Sequence, residues 1–290
     1  MTRRRPLSAS SLGWCASMLA VVALTGCDVQ VGDKGMSVGV ARETLNKEWS
    51  RSYPLASGRF ELSLMGGGAI EVTGTDGSQL DVRIVQEATG MTKDAVRQAL
   101  DAVSVQETAS ADRVSIEVRS PSGDMPRGRV STRATVRLPR GLTTTINARD
   151  GEVRLENVDG TSTVALTNGT IFGRGLAGAL TASVANGRLA LDLARVTAPL
   201  TLTARNGNVN LGIPTDGRAN VDATVTNGRI TVDSKLAIVS DTPGGDGGRR
   251  LPLNRLSGRL NGGGPGIEVQ VTNGAVRFTA PGTVPPPPSR

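Results

Sequence analysis

The chain has 290 residues, enough for one sizeable β domain or two small ones. Glycine is abundant at 37 and aromatic residues make up 2%, a composition suited to thin repeated layers with aliphatic interiors rather than one large aromatic core. There is no histidine, so the commonest general base, the commonest metal ligand and the usual pH switch are excluded together, and the formal charge is +7.

The first 26 residues read as a targeting segment. Arg3, Arg4 and Arg5 form a basic start, and Leu12 to Leu24 is an apolar run too short to span a bilayer. The run ends in Leu24-Thr25-Gly26-Cys27, which resembles the bacterial lipobox, where the cysteine is acylated and becomes N-terminal after cleavage. Residues 1–26 are therefore expected to be a lipoprotein signal peptide, with Cys27 the site of lipid (palmitate-type) attachment. Cys15 leaves with the leader, so no disulfide is expected, and loss of the three arginines lowers the charge to +4. Acyl chains worth ~0.8 kcal/mol per buried CH2 would hold the protein on a membrane without spanning it. Asp28 favours an inner-membrane, periplasm-facing position, with the cell surface as the alternative.

Residues 27–52 are polar and lack clean periodicity, so they are expected to tether the lipid to a folded unit over 53–280. Strand alternation begins at Phe60-Glu-Leu62-Ser-Leu64, continues after Gly66-Gly67-Gly68 as Ile70-Glu-Val72, and returns at Leu80-Asp-Val82-Arg-Ile84. Thr92 to Val103 breaks the pattern. Thr92 can cap a helix, and Val96, Ala99, Leu100 and Val103 recur at helical spacing, which predicts one short amphipathic helix on an end or flank. Strands resume at Val114-Ser-Ile116-Glu-Val118 and Ala134-Thr-Val136-Arg-Leu138.

From Ile146 a phrase repeats: two alternating apolar positions, Asn-Gly, then more alternating apolar positions. Its reference residues are Asp150, Asn168, Asn186, Asn206 and Asn227, spaced 18, 18, 20 and 21 apart, with a last copy at Asn273. The residues two and four before and three after each reference are apolar in all six copies, as one buried strand face requires. Thr242 to Gly266 is Gly/Pro-rich and reads as a long loop, and Pro285 to Pro288 as a stiff tail within 281–290.

Two all-β folds satisfy this pattern. Asn-Gly between alternating strands is a strong hairpin signal, which gives an antiparallel meander. The same dipeptide can turn the corner of a single-stranded β-helix, or solenoid, whose coils of 18–21 residues stack and whose asparagines form an amide ladder. Whole-coil repetition and aliphatic filling favour the solenoid.

The recurrent Gly-x-Val/Leu-x-Val/Leu and Thr-Asn-Gly-x-Ile phrases resemble the bacterial putative-adhesin family of β-strand-repeat lipoproteins, similar to autotransporter-adhesin heads. The likeness covers roughly Tyr53 to Ala280. It implies a β-helix behind a membrane-anchored start and brings no catalytic residues.

Carboxylates in the repeat, among them Asp150, Asp192 and Asp222, do not recur at one coil position, so no stacked acidic cleft and no enzyme is expected. Gly244-Gly245-Asp246-Gly247-Gly248 occurs once and reads as a loop, so neither metal nor cofactor is implied. A basic zone holds Arg127, Arg129, Arg133, Arg137, Arg140, Arg149 and Arg154. Arg133, Arg137 and Arg149 are its candidate binding residues, for anionic envelope polymers or an acidic envelope protein, set against a solvated face that discourages edge pairing. Few aromatics interleave, so nucleic acid is not an expected partner. The expected role is a lipid-anchored, non-enzymatic binding, adhesin-like or scaffold element of the bacterial cell envelope. A regulatory or envelope-stress partner of a membrane protein is the alternative, and an enzyme on envelope polysaccharide ranks below both.

Overall fold

The computed structural model describes residues 31–32, 35–36, 42–120, 128–240 and 254–282. The leader, Cys27, Arg127, the Gly-rich stretch 244–248 and the tail Pro285 to Pro288 lie outside them. Its strands are β1 (Val31–Gly32), β2 (Gly35–Met36), β3 (Glu43–Tyr53), β4 (Arg59–Thr75), β5 (Leu80–Gly90), β6 (Ser104–Ala109), β7 (Arg113–Arg119) and β8 (Gly128–Pro139). There follow β9 (Thr143–Glu156), β10 (Ser162–Leu176), β11 (Leu180–Leu193), β12 (Leu200–Gly212), β13 (Ala219–Val232), β14 (Ile238–Ser240), β15 (Arg255–Leu260) and β16 (Gly266–Thr279). One helix, α1 (Lys93–Asp101), interrupts them. All strands but the β1–β2 pair belong to one 14-stranded sheet.

The repeat forms the parallel body of that sheet, in the order β4, β9, β10, β11, β12, β16, β13. Pairing is like to like: Asn168 stands opposite Asp150 and Asn186, and Asn186 opposite Asn206. Each strand bends once, at the glycine after its reference residue, where φ lies between 127° and 158°. The side chains before and after the bend therefore both face inward. Of the eighteen apolar positions in the repeat, seventeen are buried and Ala148 is half-buried. They join one continuous, mostly aliphatic cluster from Leu55 to Phe278.

These bends are not hairpin tips, because the limbs on either side pair in parallel with neighbouring copies rather than with each other. Stacking does not follow chain order throughout. β16 lies between β12 and β13, so Asn273 is opposite both Asn206 and Asn227. Beyond β13, β15 and β14 pair antiparallel and end the parallel run.

At the opposite end the two limbs separate. The first half of β4 pairs with β7 and its second half with β8, while β9 spans both halves. The register shifts between Leu64 and Gly67, at the glycine triplet. α1 carries the expected Thr92 cap, whose side chain accepts from the Ala95 amide at 3.3 Å. Its buried Val96, Ala99 and Leu100 pack with Ala88 in a separate small cluster on the flank of β5.

Two sequence expectations need correction. Of the expected tether, residues 43–52 lie in β3, which pairs antiparallel along β5. Its half-buried residues do not alternate cleanly because the strand sits at the sheet edge. Within the expected loop 242–266, Arg255–Leu260 form β15, whose alternate residues Leu256, Gly258 and Leu260 are buried against β13. Six residues interrupted by Gly258 carry too short a pattern to stand out from a Gly-rich background.

Candidate binding groove

The bend is built from two stacked columns. On its outer side the asparagines form a one-way amide ladder. Nδ2 of Asn168 donates to Asp150 Oδ1 at 2.6 Å, Asn186 to Asn168 at 2.9 Å, and Asn206 to Asn186 at 2.8 Å. Asn273 donates to Asn206 at 2.7 Å and Asn227 to Asn273 at 2.8 Å. Asp150 ends the ladder because the next strand offers Gly67, which has no side chain to receive a donated hydrogen bond. A carboxylate accepts without needing to donate, so it closes the row with no stranded N–H. Beside the ladder the glycines pack backbone on backbone. A Cβ on Gly187 would sit 1.7 Å from the Gly169 carbonyl oxygen.

Immediately before the bend, the outward residues of β9 to β12 line a groove of about 710 Å³. Parallel in-register strands place equivalent side chains in rows about 4.8 Å apart, so the lining follows from repeat position. One row holds Asn147, Ala165, Ser183 and Thr203, and the next Arg149, Thr167, Ala185 and Arg205. Small side chains on β10 and β11 make a trough, and the arginines on β9 and β12 flank it about 14 Å apart. Met65, 45% exposed, closes the β4 end.

The structure divides the basic zone. Arg149 lines the groove, whereas Arg133 and Arg137 project from β8 on the far limb of the fork. Arg133 is paired there with Glu71 at 2.9 Å. Arg140 pairs with Asp76 at 2.8 Å and Arg154 with Glu152 at 2.9 Å. Residues close in sequence are apart here because β8 and β9 both flank β4 and stand on opposite sides of it. Arg205 was missed, although it occupies the coil position of Arg149, one residue before the reference. Aligning the copies by that position, rather than counting arginines in a window, would have found it.

Asp192 is the buried carboxylate of the repeat, 7% exposed on the outward side of β11. Burial raises its pKa, while a Gly282 backbone hydrogen bond and the Arg174 charge partly oppose the rise. It lies on the limb after the bend, away from the groove. Among the described residues, no three Asp, Glu, Cys or His side chains are grouped to hold a metal ion.

Residues 101–242 match the family described as Toastrack DUF4097. No curated protein matches the chain. Among solved structures, a putative cell adhesion protein from Clostridium sporogenes is similar at 12% identity and TM-score 0.45, covering 81% of this chain and 99% of its own. A putative adhesin from Bacteroides fragilis is similar at 10% identity and TM-score 0.31, covering 81% and 97%. A putative lipid binding protein from Parabacteroides distasonis has 10% identity and TM-score 0.29, covering 80% and 96%.

Proposed function

We propose that this chain, whose residues 101–242 match the Toastrack DUF4097 family, is a non-enzymatic binding element of the bacterial envelope, held at a membrane by acyl chains on Cys27. Its groove between Arg149 and Arg205 takes an extended anionic polymer. The observation that carries this reading is the lining itself: a trough of small and hydroxyl-bearing side chains flanked by two cations on a rigid stack. Such a surface attracts negative charge over a length and makes few shape demands, which suits a repetitive polymer. The successive parallel neighbours β9 to β12 support reading them as laps of one single-stranded coil. The basic start, the short apolar run and the Leu24-Thr25-Gly26-Cys27 order support the anchor.

Binding of defined polyphosphate or poly(glycerol phosphate) chains, followed by calorimetry over a salt series, tests the groove. The double variant Arg149→Glu/Arg205→Glu should bind about tenfold more weakly or worse, a loss of ~1.4 kcal/mol, while Arg133→Glu/Arg137→Glu binds nearly as the unaltered protein does. Equal losses in the two variants, or no binding by either polymer, would refute the groove reading. The anchor is tested separately by cell fractionation. Cys27→Ala should move the protein from the membrane to the soluble envelope fraction, and retention in the membrane would remove the lipid from the proposal.

A further inference from the structure

We infer that the outward face of β11, β12, β16 and β13 after the bend is a docking surface for an anionic membrane, engaged by Arg188, Arg229 and Arg277. On this limb Leu189, Leu191, Leu211 and Phe278 are buried in the core, so the residues alternating with them point out. The register sets these in two rows. Arg188, Asn208, Ala275 and Arg229 stand side by side, and next to them Ala190, Asn210, Arg277 and Thr231. All three arginines are exposed. Their neighbours are short, and Asn208 Oδ1 is held by the Ala275 amide at 3.0 Å, so the guanidinium groups stand highest on the face.

Charge divides along the stack. Towards β4 the same face is neutralised, because Arg133 pairs with Glu71 and Arg154 with Glu152, each at 2.9 Å. The Arg154 guanidinium also lies 5.6 Å from the ring centroid of Phe172, which is buried with Ala190. Towards β13 that balance is lost. Among the described residues, none of Arg188, Arg229 and Arg277 forms an ion pair with a carboxylate. Asp192 on β11 is 7% exposed, and Asp233 beyond β13 accepts from the Lys235 amide at 3.0 Å. The limb before the bend has the opposite sign on β13 and β16, where Asp222 stands beside Glu268 and both are exposed.

Strand spacing and rise per residue place Arg188 and Arg277 about 12 Å apart, Arg277 and Arg229 about 8 Å, and Arg188 and Arg229 about 14 Å. The three cations are corners of a triangle, not points on a line. A single extended polymer passes over two of them at a time, whereas lipid headgroups meet all three at once in two dimensions. Each guanidinium donates to phosphate oxygens as a planar fork, and cations at an anionic leaflet add their attractions. The same leaflet repels Asp222 and Glu268. The molecule therefore meets the membrane with the limb after the bend and keeps the groove before the bend clear of it. This docking depends neither on the ligand of the groove nor on the acyl anchor.

Arginine footprinting with phenylglyoxal, read by peptide mass spectrometry on the full chain, tests this. Vesicles of phosphatidylcholine mixed with phosphatidylglycerol should slow modification of Arg188, Arg229 and Arg277 several-fold, while phosphatidylcholine alone leaves their rates unchanged. Arg149 and Arg205 should keep their rates on both, and raised salt should abolish the protection by screening. In the double variant Arg229→Glu/Arg277→Glu the protection of Arg188 should disappear while the melting temperature stays the same. Unchanged rates on the anionic vesicles, or equal protection by phosphatidylcholine, would overturn the inference. Equal protection by free glycerol phosphate at the same phosphate concentration would also overturn it, because single phosphates would then be the ligand. Protection of Arg188 that survives in the double variant would count against it as well, since the three cations would not share one surface.

Discussion

At the scale of single residues, the bend in the inner copies rests on a pair of requirements that Asn-Gly meets together. The asparagine must both donate to one neighbour and accept from the next, and the glycine must hold a positive φ with another backbone pressed against it. Gly187 combines φ 147° with a carbonyl oxygen 1.7 Å from where a Cβ would stand. Left-handed strain and forced displacement of the next layer together make Gly187→Ala cost about 3 kcal/mol or more. Gly141, with nothing within 4 Å of its Cβ position and no positive φ, should accept alanine within about 0.5 kcal/mol. Urea midpoints of the two variants check the contrast, and similar shifts would show that the glycine column is not under compression. Asp150 illustrates how position changes a residue's use: the same slot that elsewhere passes a hydrogen bond along here only receives one.

Among the elements, β16 is the keystone of the parallel stack. It pairs along its length with β12 on one side and β13 on the other, and it completes the amide ladder between Asn206 and Asn227. Removing residues 266–279 should therefore unfold β13 and β15 as well, because among the described strands their backbone pairing reaches the rest of the stack through β16. Exchange over 219–232 should approach that of an unfolded peptide, while 143–212 keeps much of its protection. If 219–232 stayed protected, β13 would be able to close onto β12 directly, as chain order alone suggests. Helix α1 is an element of the opposite kind, held by its own small cluster against β5 and contributing nothing to the repeat.

For the molecule as a whole, the sheet gives each limb a separate outer surface. The limb before the bend carries the groove, the limb after it carries Phe172 and Asp192, and the fork at β4 sets Arg133 and Arg137 apart from both. A cation run in sequence thus becomes three environments in space. The repeat phrase was enough to specify the buried face and the bend, because a two-residue alternation and a positive-φ glycine are local properties that every copy states for itself. The parallel stack over a hairpin meander with its like-to-like register, the place of β16, the strands β3 and β15, and the setting of Arg149 and Arg205 on one groove were decided only in three dimensions. Copies with the same face and the same corner can stack in any order, and their connections and edges, which carry no repeat signal, choose among the arrangements.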